Sequence, residues 1–207
     1  RIAKIVRPDR GIGTYTFYVR DASGNVMAVY EKNPPLPGEA GDLKQTEIHL
    51  YGSSRLGIYR LSRNMEHPFE NTMGIFTFER GNKFFELSNH LGNVLVVVSD
   101  RKLQVQIPPV GGSGGIAYYA ADIITATDYY PFGMDMVGRR YGEADRYGFN
   151  GKERDRDINS LTAYDYGFRI YDSRIGKFLS VDPLTGFYPW YTPYQYAGNM
   201  PIWATDI

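Results

Sequence analysis

"YDYGFRIYDSRIGKFLSVDPL", Tyr164 to Leu184, carries two Tyr-Asp pairs, two glycines and an Asp-Pro step in a short span. Tyrosine suits a half-buried strand, because the ring packs while the hydroxyl reaches water. An aspartate at a turn bonds the backbone two residues on, and glycine supplies the positive φ that closes it. The stretch therefore predicts short strands joined by tight turns. It holds no metal-ligand spacing and no nucleophile beside an obvious base.

The same pattern recurs on either side. "TYTFYVRDASGNVMAVYE" (Thr14 to Glu31) alternates, turns at "DASGN" and resumes with Val26, Ala28 and Tyr30 on one face. "FELSNHLGNVLVVVSDRK" (Phe85 to Lys102) has the same form: with Gly24 laid on Gly92, Asp21 falls on Asn89, Asn25 on Asn93 and Val26 on Val94. "RIYDSRIGKFLSVD" is a third copy, one residue longer between Asp172 and Gly176, and a fourth turn is predicted at Asn159-Ser160. Recurring hairpins that cannot each bury both faces alone predict a stacked or wrapped antiparallel sheet. "NPPLPGEAGD" (Asn33 to Asp42) and "IPPVGGSGG" (Ile107 to Gly115) read as loops. "TPYQYAGN" (Thr192 to Asn199) reads as a short helix, with Thr192 as cap and Pro193 at the first position.

The 207 residues suffice for a real core, and 23 basic against 23 acidic side chains leave no net charge. A general nucleic-acid or anionic-membrane binder needs a basic excess, so neither partner is expected. Cysteine is absent, which excludes disulfides and thiolate chemistry. The longest apolar run, Val94 to Val98, is strand-sized, so no membrane span is expected. "RIAKIVRPDRG" is no signal peptide, and both ends read as cuts through a longer polypeptide. No cofactor or metal is predicted. "DRDINS" (Asp155 to Ser160) spaces its oxygens as a calcium loop does, but lacks the glycine at the sixth position and the glutamate at the twelfth. His49, His67 and His90 have no partner at ligand spacing and read as surface or strand residues. "GGSGG" lacks the Lys-Ser/Thr ending of a phosphate loop. "KERDRD" (Lys152 to Asp157) reads as a solvated edge.

Several segments, in order, resemble the Rhs-repeat-associated core of Rhs/YD-repeat proteins. They are "NHLGNV" (Asn89 to Val94), "DYYPFG" (Asp128 to Gly133), "YGFNGKERD" (Tyr147 to Asp155) and the opening stretch. In that stretch Arg169, Tyr171, Asp172, Gly176, Lys177, Phe178, Asp182 and Pro183 match the family pattern. "TPYQYAGNMPIWATD" is similar to its terminal box. The likeness is close from Phe85 to Ile207. From Arg1 to about Arg80 only the hairpin at Tyr18 to Tyr30 carries it. The resemblance implies a mainly β fold: residues 1–84 as hairpin wall and 85–207 as the core, the closing part of a β-cage with few short helices. It implies an exported, secreted or surface-displayed shell that encloses a C-terminal effector or toxin domain of the same polypeptide and meets secretion machinery.

Self-cleaving relatives carry an Asp-Pro-x-Gly-Leu motif twice. Here the first copy would be Asp182 to Phe187, with one extra residue before Gly186 and Phe187 for Leu. The second would begin at Asp206, 24 positions later, with Ile207 for Pro. The resemblance thus implies aspartic-protease-like autoproteolysis just after Ile207, with Asp182 and Asp206 as the catalytic pair, one as base and one as acid. Read without it, Asp182 before a proline is a turn residue that bonds backbone. The rival function is a cell-surface or adhesive YD-repeat protein that releases no toxin.

Overall fold

The computed structural model describes residues 3–6, 13–33, 42–66, 79–110, 113–159 and 161–206. Hydrogen-bonded neighbours follow sequence order in a nine-stranded sheet. Its strands are β1 (Ala3–Val6), β2 (Thr14–Arg20), β3 (Val26–Lys32), β4 (Leu43–Tyr51), β5 (Arg55–Asn64), β6 (Lys83–Ser88), β7 (Val94–Val110), β8 (Ser113–Tyr129) and β9 (Asp135–Tyr141). A second sheet orders β10 (Glu153–Arg154), β11 (Ala163–Asp165), β12 (Ile170–Asp172) and β13 (Lys177–Phe178). Helix among the described residues is limited to 3-10 turns at Phe149–Gly151, Thr185–Phe187 and Ala197–Asn199. The fold is mainly antiparallel β, as the hairpin recurrence predicts.

The turns form for the local reasons read in the sequence. Asp21 Oδ1 accepts from the Ser23 and Asn25 amides at 2.9 and 2.8 Å, and Gly24 closes the turn at φ +86°. Asn89 Oδ1 accepts from Leu91 and Asn93 at 3.0 and 3.1 Å, and Gly92 sits at φ +78°. The longer third copy also closes on a left-handed glycine, Gly176 at φ +64°, with Asp172 Oδ1 accepting from the Arg174 amide. At the fourth, Asn159 Oδ1 accepts from Leu161.

Three expectations change. "IPPVGGSGG" is largely strand: Ile107 to Val110 end β7 and Ser113 to Gly115 begin β8, so its Pro pair lies within a strand end, while residues 111–112 lie outside the described residues. "TPYQYAGN" is not a helix. Thr192 to Gln195 form a single turn, closed by the Gln195 amide on the Thr192 carbonyl at 3.1 Å, and the Phe178 and Asp182 amides donate to its Tyr194 and Pro193 carbonyls at 3.0 and 2.9 Å. Ala197–Asn199 then makes a 3-10 turn. Arg154 of "KERDRD" is buried, not solvated. Of "NPPLPGEAGD", residues 34–41 lie outside the described residues, as does His67.

The chain divides into two compact units. Unit 1 (1–85 and 99–122) contains β1 to β5, paired antiparallel. Tyr18 is buried between exposed Phe17 and Val19, the period-two signature of a sheet with one covered face. It packs with Val26 and Val29; Val29 lies directly opposite Tyr18, and a register shift at Val19/Arg20 that leaves Met27 without a partner in β2 brings Val26 to the same face, where strict alternation would point it away.

Unit 2 (86–98 and 123–207) holds the second sheet and an aromatic core of Phe149, Tyr164, Tyr171, Phe178 and Tyr196. Each such ring taken from water stabilises by about 1.5–3 kcal/mol. The tyrosines bury only because their hydroxyls are satisfied: Tyr164 donates to the Gly133 carbonyl at 3.2 Å and Tyr171 to that of Phe132 at 2.8 Å. Burial pushes the Tyr196 hydroxyl up to about 12, so it stays a neutral donor. Arg154 lies over the Tyr129 and Tyr164 rings at 5.9 and 5.1 Å and pairs with Asp135 at 3.0 Å.

Candidate functional site: Asn150 and the Arg169 pair

Four segments of unit 2 meet at one asparagine. Asn150 sits at φ +50° in the 3-10 turn, a backbone state that asparagine tolerates better than most residues. Its amide donates to Asn93 Oδ1 at 2.8 Å, and its Nδ2 donates to the Leu91 carbonyl at 2.9 Å. Its Oδ1 accepts from the Tyr166 hydroxyl at 2.9 Å and from the Tyr196 hydroxyl. "NHLGNV", "YGFNGKERD", "YDYGFRIYD" and "TPYQYAGN" thus supply one another's hydrogen-bond partners.

Beside this node, Arg169 brings the two predicted aspartates together. Its guanidinium carbon lies 3.7 Å from the Phe178 ring centroid, a close cation–π stack. Nη2 donates to Asp206 Oδ1 at 2.8 Å. Nη1 lies 2.8 Å from Asp182 Oδ2, an ion pair without hydrogen-bond alignment. Each carboxylate spends its other oxygen on backbone: Asp182 Oδ1 accepts from Leu184 at 2.8 Å, and Asp206 Oδ2 from Ala197 at 3.1 Å. Asp182 is therefore a turn residue and an arginine ligand at once. The two carboxylates share a guanidinium, which offsets one of their two charges. With Leu184, Thr185, Tyr188 and Tyr191 they line an open cavity of about 320 Å³.

The sequence motif contains Arg169 but gives no sign that it joins the aspartates; an arginine next to aromatic strand positions was the available signal. Asp172 is engaged elsewhere. Arg174 pairs with it at 2.7 Å and holds its carboxyl below the usual range. Among the described residues no cluster of three metal-ligating side chains occurs, and no helix is long and apolar enough to cross a membrane. Of the histidines, His49 is buried on β4 with Nε2 3.4 Å from Glu47 Oε2, and His90 lies in the Asn89 turn.

This mainly antiparallel β architecture has relatives of known sequence and structure. No family model matches the chain. It is 25% identical over 209 aligned residues to Salivary gland surface protein 1 of Aedes aegypti, covering 98% of this chain and 5% of that protein. It is 36% identical over 78 residues to Toxin subunit YenC1 of Yersinia entomophaga, covering 36% of this chain and 8% of that protein. In fold it is similar to a chain of the TcdB2-TccC3-Cdc42 crystal structure, with a TM-score of 0.52 and 17% identity over 97% of this chain and 9% of that one. The chain thus spans less than a tenth of the length of each.

Proposed function

We propose that the chain is the C-terminal part of an extracellular Rhs/YD-repeat shell protein, with residues 1–84 as wall and 85–207 as the Rhs-repeat-associated core. The shell encloses and presents, or releases, an effector domain of the same polypeptide, exported with it by secretion machinery. The observation that carries this reading is the convergence at Asn150. The segments that resemble the Rhs core are mutual partners, so their joint occurrence has a physical cause in one closed unit. The likeness to a toxin subunit supports it.

Release would proceed by self-cleavage just after Ile207, at Asp182 and Asp206. A carboxylate takes a proton from water, the hydroxide oxygen attacks the scissile carbonyl carbon, and the same proton passes to the leaving nitrogen. Arg169 holds the pair in place and supplies the positive charge that an oxyanion requires. The test is the intact mass of the polypeptide extended beyond Ile207. Two fragments are expected from the unmodified chain, and one uncut folded chain from Asp182→Asn or Asp206→Asn. Asp172→Asn should cleave normally. An unmodified extended chain that folds yet stays whole removes the protease step.

A second reading, a surface or adhesive YD-repeat protein that releases nothing, is favoured by the match along nearly the whole chain to a salivary gland surface protein. An uncut shell displayed with its C-terminal segment attached would decide for it.

A further inference from the structure

The nine-stranded sheet leaves one long edge without the usual guards. The β8–β9 pairing runs from Ala126↔Tyr141 to Tyr129↔Asp135, and Gly142 lies against the Ile124 carbonyl. Among the described residues, β8 pairs with β7 on one side and has no neighbour on the other from Ser113 to Ile123. At about 3.4 Å per residue this is a run of roughly 35 Å of open backbone donors and acceptors.

Sheet edges are normally blunted by charge, proline or a bulge. β9 has such devices: a register shift opposite Thr127–Tyr129, Gly138 at φ +76°, and Arg139 and Arg140 along the strand. β8 from Gly114 to Ala121 reads "GGIAYYAA", with no charge and no proline. Its nearest charge, Asp122, is tied to β7, because its Oδ2 accepts from Ser99 Oγ at 2.6 Å. Ile116, Tyr118, Tyr119 and Ile123 are all exposed, so neither face of the ribbon is covered. A two-stranded ribbon in water is marginal, and a third strand is what stabilises it.

We propose that this edge pairs with the same edge of a second copy of the chain, antiparallel and about a two-fold axis between Tyr118 and Tyr119. The sequence "AYYA" reads the same in both directions. In that register Tyr118 faces Tyr119, Ala117 faces Ala120, and each of these pairs occurs twice. Aromatic pairs directly opposite are the favourable cross-strand unit. A two-fold interface requires this self-complementarity. Asp122 falls opposite Gly115, whose Cβ position is open, so no like charges meet. The chain's net charge of zero puts no general repulsion between copies.

The experiment is sedimentation velocity on the 207-residue chain across a concentration series, with two double variants. Tyr118→Lys/Tyr119→Lys and Tyr118→Glu/Tyr119→Glu each set like charges opposite one another at the axis. The unmodified chain is expected to dimerise. Each double variant should dimerise about tenfold more weakly or worse, with unchanged circular dichroism. An equimolar mixture of the two should recover the dimer through Lys–Glu pairs, which a misfolded variant could not do. A monomeric unmodified chain overturns the proposal, as does a dimer indifferent to both double variants or variants that fail to recover on mixing.

Discussion

The turns at Asp21 and Asn89 share a backbone geometry and differ in use. In both, the amide of the fourth residue donates to the first carbonyl, at 3.1 Å in one and 3.0 Å in the other. In both, an Asx oxygen gathers two further amides. Around Gly24 there is open space, and Asn25 turns its amide back onto Asp21. Gly92 lies 3.6 Å from the Asn150 backbone measured from its ideal Cβ, and Asn93 gives its oxygen to Asn150. A turn written by four residues is thus a simple reversal in unit 1 and an anchor in unit 2. The local sequence decides that a turn forms; a residue some sixty positions away decides what it is for.

That difference can be broken hardest at Asn150. Asn150→Leu removes the acceptor shared by the Tyr166 and Tyr196 hydroxyls, leaving them only each other at 3.3 Å, takes the donor from the Leu91 carbonyl and puts a branched side chain at positive φ. The expected loss is about 3 kcal/mol or more, read from chemical denaturation. A third turn sharpens the comparison. Tyr130 and Gly133 repeat the backbone frame at 2.8 Å, but a Cβ on Gly133 would lie 2.4 Å from the Phe149 ring. Gly133→Ala should therefore cost about 2–4 kcal/mol, and Gly24→Ala, with only the backbone penalty at φ +86°, about 1–2 kcal/mol. Equal melting shifts for the two would mean that Phe149 does not pack there.

Smaller still is the contrast between the asparagines. Asn93→Ala removes the acceptor for the Asn150 amide and should cost about 1–3 kcal/mol, whereas exposed Asn25→Ala should cost about 0.5 kcal/mol or less. Last is acid. The Asn25 side chain and amide hold the Asp21 carboxyl below its ordinary value of 3.8. A lowered folded-state value means that the contribution is present above the unfolded value and lost as pH falls through the folded one. The Asn89 turn has no ionisable group in that place. Amide shifts of residues 21–25 should move in that acid window while those of Leu91 and Asn93 stay flat.

These contrasts mark what was legible in the sequence. Turn positions were, because an Asx side chain and a left-handed glycine act within four residues. The course of Thr192 to Tyr196 was not: its cap and proline favour a helix locally, yet it stops after one turn, whose Pro193 and Tyr194 carbonyls accept from Asp182 and Phe178 instead of from the next helical turn. The end of β7 was misread because Pro108 and Pro109 look the same at the end of a strand as in a loop. Asp182 and Asp206 were named from a spaced motif, but Arg169, which binds both, belongs to a different turn of the chain. Burial of Arg154 was hidden for a similar reason, since its ring partners Tyr129 and Tyr164 lie on separate segments.

The central claim is that Asn150 converts a common hairpin turn into the anchor of the closed unit. A double-mutant cycle tests it most directly, with Asn93→Ala and Asn150→Ala made singly and together and stability measured by denaturation. The predicted coupling is about 1 kcal/mol or more, because the pair shares hydrogen bonds. The parallel cycle with Asn25→Ala should give a coupling of about zero. Additive losses in the Asn93 cycle, or equal couplings in both, would contradict the account.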